Sequence, residues 1–119
     1  MSDFDMQTLD EEDVKLVVLA RASRARTGAI EGAAVRDTDG RTYAAASVTI
    51  PSLKLTALQA AVVMAVSSGS SQLEAAAVVS EAIVVDGDSV AAVRDLAPHA
   101  FIYVADVTGE VHSALSEDV

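Results

Sequence analysis

The chain has 119 residues and no cysteine, and its formal net charge is −10. Its length predicts one domain over residues 1–119 with flexible ends at 1–9 and 115–119, and the missing thiols exclude a disulfide framework and thiol chemistry. The acidity opposes non-specific contact with nucleic acid or anionic lipid, and no stretch is apolar for long enough to span a bilayer.

From the start, Met1 to Gln7 carries acids where an export signal would carry lysines and then an apolar run, so a cytoplasmic protein is expected. Asp10, Glu11, Glu12 and Asp13 then lead into Val14, Val17, Val18, Ala22 and Ala25, widened by Leu16, Leu19 and Ala20. That spacing predicts a helix over residues 11–26. Acids first and Arg21, Arg24 and Arg26 last both suit the helix dipole, and Gly28 is a suitable stop. Residues 29–36 read as a strand, Asp37-Thr38-Asp39-Gly40 as a tight hairpin, and residues 41–50 as the returning strand. Pro51 breaks that strand, and Ser52 is placed to cap a helix over residues 53–67.

This second helix is apolar nearly all round, with Leu53, Leu55 and Leu58 beside Ala57, Ala60, Ala61 and Ala65. Such a helix is wrapped by its own neighbours or by a second subunit. The apolar half of the chain is mostly alanine and valine, with two Phe, two Tyr and no Trp. Small side chains bury little area each, at about 25 cal/mol per Å², so self-association is the expected supplement. Residues 67–71 form a loop, and residues 73–80 read as a strand covered on both faces. Asp86-Gly87-Asp88 is a turn, with Ser89 capping a short helix over residues 90–96 that Pro98 stops. Residues 100–106 read as a strand, Thr108-Gly109 as a turn, and residues 110–114 as an edge strand. Strands alternating with helices predict an α/β fold, with helices on the faces of a mixed sheet.

Several phrases carry a likeness: the run from Leu19 to Arg26, then Gly32-Ala33-Ala34-Val35 ahead of Asp39-Gly40-Arg41 and Tyr43, then Val66-Ser67-Ser68-Gly69, then Ala77-Val78-Val79-Ser80-Glu81. In order and spacing, residues 12–107 resemble the small bacterial cytidine deaminases. The resemblance implies a three-layer α/β/α sandwich on a mixed sheet of about five strands. It also implies zinc-activated water attacking the pyrimidine C4 while a glutamate moves the protons. Active members are homotetramers whose equivalents of the 53–67 helix meet near the centre.

By the same resemblance Thr56 stands where a zinc cysteine would, Ala57 at the middle of a Cys-Ala-Glu triplet, and Leu58 at its glutamate. A Pro-Cys-Gly-x-Cys motif falls on Val85-Asp86-Gly87-Asp88-Ser89, so Asp86 and Ser89 take cysteine positions. The ribose-gripping Asn-x-Glu pair falls near Ser47-Val48-Thr49. Zinc prefers thiolate or imidazole in tetrahedral geometry, hydroxyls are poor ligands, and Leu58 moves no proton. His99 and His112 match no family ligand. No metal and no cofactor is expected.

Other constellations have plain explanations. Asp86 and Asp88 with Ser89 offer oxygens to a hard cation, and a turn with a helix cap explains them equally. Asp37 and Asp39 suit hairpin chemistry. Arg21, Arg24, Arg26, Arg36 and Arg41 gather five of the eight basic residues into a candidate phosphate or RNA patch. Dipole and local carboxylate pairing account for them as well. Tyr43, Phe101 and Tyr103 do not interleave with them as a base-stacking platform would. The sequence therefore points to a catalytically inactive cytidine deaminase homologue, acting as an oligomeric binding or scaffold protein in a dimer or tetramer, with a further protein partner left open. Two alternatives stand beside it: a divergent nucleoside or cytidine deaminase-type hydrolase, and an RNA- or ribosome-associated factor using the arginines.

Overall fold

Asp10 opens the first helix, α1 (Glu11–Thr27), by accepting the Asp13 backbone N–H at 2.9 Å. Arg24 and Arg26 sit in its last turn, and Gly28 closes it in the left-handed region at φ 69°. Leu16, Val17, Ala20 and Ser23 form its buried stripe. The structure, a computed structural model, describes residues 9–116. The flexible ends expected over 1–8 and 117–119 lie outside the described residues. Leu9 packs on the core beside α1, and Leu115 ends a strand.

After α1 come β1 (Glu31–Asp37), β2 (Thr42–Ala46), β3 (Val48–Ile50), β4 (Leu53–Leu55) and α2 (Ala57–Ser67). Then follow β5 (Leu73–Ser80), α3 (Gly87–Leu96), β6 (Phe101–Ala105) and β7 (Val111–Leu115). The main sheet has five strands in the order β2-β1-β5-β6-β7, and β3 with β4 makes a separate ribbon. Among the described residues only β5 and β6 run parallel, and α3 is the crossover that a parallel pair requires. The register places Ala34 between Ala44 and Ala77, and Ala77 opposite Tyr103.

Alternation along the strands divides the core in two. Ala33, Val35, Ala76, Val78, Ile102 and Val104 pack toward α2 and α3. Ala34, Ala75, Ala77, Val79, Tyr103 and Ala105 pack toward α1. The result is the mixed five-stranded sheet with helices on both faces that the sequence implies. Gly32 sets the depth of the α1 layer: a side chain there would run into the Ala20 carbonyl oxygen and the Arg24 backbone.

Three differences from the sequence reading exceed a residue or two at an element's end. The return strand expected over 41–50 divides at Ser47, whose N–H makes the last rung to the Glu31 carbonyl at 3.1 Å before the chain leaves the sheet. The helix expected from residue 53 starts at Ala57, because Pro51-Ser52 turns the chain back and Leu53–Leu55 pairs with Val48–Ile50. The third helix begins at Gly87 with Asp86 as its cap, and Ser89 already lies inside the first turn.

Candidate functional site

The starts of α2 and α3 meet on one side of the sheet. Thr56 caps α2, its Oγ1 accepting the Gln59 N–H at 3.1 Å, while Gln59 Oε1 accepts the Thr56 N–H at 3.0 Å. This reciprocal pair is a capping box. The next free amide, Ala57 N–H, donates to Glu31 Oε1 at 3.2 Å from the start of β1. On α3 the Asp86 carboxylate accepts the Ser89 N–H at 2.9 Å. Ser89 Oγ then reaches across to Thr56 Oγ1 at 2.7 Å. Ser89 is 1% exposed and Leu58, in the first turn of α2, is 0% exposed within the apolar core.

Beside this junction lies a polar cavity of about 380 Å³ lined by Glu31, Ser47, Lys54, Thr56, Gln59 and Asp86, among others. Carboxylates, hydroxyls, an amide and one ammonium face the same space. A larger hollow of about 570 Å³ opens elsewhere, between Ile83, Val85, Val90, Val104 and Leu115. It is apolar and holds none of the capping groups. Ile83 borders it in the left-handed region at φ 57°, a rare conformation for a β-branched residue, with its N–H donated to Ser80 Oγ at 3.2 Å.

A family model described as cytidine deaminase-like matches residues 9–109. The chain belongs to the cytidine deaminase-like family. Among solved structures, a cytidine deaminase from Burkholderia pseudomallei is similar, with TM-score 0.78 and 22% identity, over 92% of this chain and 94% of that one. A cytidine deaminase from Mycobacterium leprae gives TM-score 0.66 and 20% identity, over 82% and 89%. At these identities the likeness is one of fold. No curated protein sequence matches the chain significantly.

In this member of the cytidine deaminase-like family, Thr56, Asp86 and Ser89 fall together at the α2–α3 junction, and Leu58 points into the core behind it. Glu31, Lys54 and Gln59 also line the cavity and were not singled out from the sequence. The Thr-x-x-Gln spacing at Thr56 was the readable signal for Gln59. Ser47, Val48 and Thr49 line the same space.

The five arginines do not form one exposed patch. Arg36 is withdrawn at 8% exposure, bonded to Asp13 Oδ1 at 2.8 Å and to the Glu74 carboxylate, because a buried guanidinium requires anionic partners. Burial opposes its charge, but those two carboxylates outweigh it and raise its pKa. Arg21 Nε donates to the Val107 carbonyl at 3.1 Å and Arg24 Nε to that of Ile30 at 3.1 Å. Arg26 reaches Ser23 Oγ, and Arg41 sits 4.0 and 3.7 Å from Asp37 and Asp39.

A second cluster joins Asp106, Glu110 and His112, whose ligand-type atoms lie within 4.8 Å of one another. Asp106 Oδ1 accepts from the Thr108 N–H and hydroxyl and from the Glu110 N–H, while Oδ2 lies 2.8 Å from His112 Nε2. The Thr108 hydroxyl and then His112 hold the Asp106 carboxyl well below the usual carboxylate range. These contacts shape the β6–β7 turn and account for the positions of all three residues.

Proposed function

We propose that this chain is a catalytically silent member of the cytidine deaminase-like family that acts in the cytoplasm by binding, as a single-domain homo-oligomer. One observation carries the reading: where the family resemblance implies a zinc cysteine and a proton-carrying glutamate, Thr56 Oγ1 is bonded to Ser89 Oγ at 2.7 Å and Leu58 is sealed in the core. The donor set does not fit zinc. It offers two hydroxyls already bonded to each other and one carboxylate, Asp86, already engaged as a helix cap. Leu58 has no proton to give or take. With no thiolate to hold zinc at Thr56 or Ser89 and no proton carrier at Leu58, hydrolytic attack by the family's mechanism has no driving group at these positions.

What remains is a polar cavity and an apolar outer face. Val63, Met64 and Val66 are exposed on α2, and Val63 and Met64 border a hollow of about 410 Å³ with Ala45, Val48 and Leu55. A contiguous apolar surface of this kind favours a second copy of the chain. No helix among the described residues is long and apolar enough to cross a membrane.

The test combines metal analysis, a cytidine deamination assay and light scattering on the purified chain. The expected result is no bound zinc, no turnover and a mass above that of a monomer. Stoichiometric zinc with turnover would overturn the catalytic part and favour the divergent-hydrolase alternative. A clean monomer at micromolar concentration would overturn the assembly.

A further inference from the structure

The donor set at the α2–α3 junction disagrees with the metal that the family resemblance implies, and the disagreement has a positive content. We infer that the Ser89–Thr56 hydroxyl bond is a metal-free cross-link that holds the starts of α2 and α3 together, the mechanical task a shared ion would otherwise perform. The inference rests on the reading above that no zinc is bound there.

Two features support it. The bond joins side chains 33 residues apart, on different helices, so it is tertiary and not a local turn contact. It also links the capping bonds of both helix starts into one chain of partners. Ser89 N–H goes to the Asp86 carboxylate, and Ser89 Oγ–H goes to Thr56 Oγ1. Thr56 Oγ1 takes a second donor from the Gln59 N–H, which uses both its lone pairs. Thr56 N–H returns to Gln59 Oε1, and Ala57 N–H goes to Glu31. The same bonds thereby satisfy amides that both helix starts would otherwise leave free. An ion entering between the two hydroxyls would have to displace the donors already seated on Thr56, with no thiolate or imidazole to replace them. The bond from Ser89 is also needed for its own sake, because a hydroxyl 1% exposed without a partner is unfavourable.

The experiment is a double-mutant cycle on the full chain: Ser89→Ala, Thr56→Val, and the two combined, with Thr56→Ser as the conservative control. Urea unfolding is followed with and without a strong chelator. Ser89→Ala is expected to raise the unfolding constant roughly fivefold, the scale of one neutral hydrogen bond. The combined variant should lose less than the product of the singles, Thr56→Ser should stay near the parent, and chelator should leave the parent's midpoint unmoved. Strict additivity in a zinc-free, inactive protein sinks the cross-link and leaves the proposed function standing. A midpoint that drops on chelation, together with bound zinc, sinks both. Should the combined variant not fold, amide exchange on Ser89→Ala decides. The backbone N–H groups of Gln59 and of residue 89 are expected to exchange faster than in the parent while α1 is unchanged, and unaltered protection at those two amides overturns the inference.

Discussion

The two faces of the sheet are held by different forces. On the α1 face, charge is buried: Asp13 accepts from Arg36 at 2.8 Å and from the Tyr103 hydroxyl at 2.6 Å, and Arg36 also pairs with Glu74. Burial, and then the Asp13 carboxylate, push the Tyr103 hydroxyl's pKa up. Arg36 Nη1 is buried with no hydrogen-bond partner among the described residues. On the α2–α3 face the junction is uncharged at its centre, with two hydroxyls in front of Leu58 and aliphatic packing behind. The contrast teaches that the layers are tied differently: Asp13 and Arg36 join α1 to the sheet by opposite charges, whereas Thr56 and Ser89 join α2 to α3 by a neutral bond. The cavity face engages the Asp86 and Glu31 carboxylates at the starts of its helices.

Breaking the charged face should have the largest effect. Asp13→Ala removes two charge-assisted hydrogen bonds, from Arg36 and from the Tyr103 hydroxyl, and at about 2 kcal/mol each urea unfolding should register a loss of about 4 kcal/mol. A loss within 1 kcal/mol would erase the contrast. On the opposite face, Leu58→Ala should cost about 3 kcal/mol through a cavity that a fully enclosed leucine leaves behind, and it should restore no deamination. Gly32→Ala tests the spacing of the α1 layer. Its new Cβ meets backbone and not a flexible side chain, so about 2 kcal/mol is expected, with a lower melting temperature as the readout.

The smallest effect is acid sensitivity. The Ser70 hydroxyl, followed by the Arg41 and Asp39 backbone N–H groups, holds the Asp37 carboxyl below its usual range. A carboxyl whose folded pKa is depressed adds stability that is complete above its unfolded value, about 3.9. That stability is lost as pH falls through the lower folded value. The melting temperature should therefore decline below about pH 4, and Ser70→Ala should make the decline shallower. An identical acid profile in the parent and the variant would remove Asp37 from the explanation.

Much of this was legible in the chain. The extent of α1, the Gly28 stop and the twice-covered strand at residues 73–80 follow from periodicity and punctuation alone. The buried face of α1 is turned from the expected one: Val18, Ala22 and Ala25 are exposed, while Leu16, Val17, Ala20 and Ser23 face the sheet. The ribbon at residues 48–55 was not, because Leu53 and Leu55 continue the apolar run of α2 and only the Pro51-Ser52 turn separates them. At the site, Thr56, Leu58, Asp86 and Ser89 were reached through the family resemblance. The bond between Thr56 and Ser89 was invisible, because nothing local couples residues 33 positions apart. The partners of Arg36 were hidden for a similar reason. Its neighbours in sequence are exposed arginines and hairpin acids, while the partners that bury it sit on α1 and β5.

The parallel pairing of β5 with β6 has an evolutionary consequence. The sheet fixes where the chain leaves β5 and where it must re-enter at β6, but it constrains little about the passage from Glu81 to Ser89 in between. Chemistry lodged in that passage and in the opposite helix cap is therefore interchangeable without redrawing the scaffold. A lineage can discard an ancient reaction there and inherit the architecture intact, free to be recruited for other work.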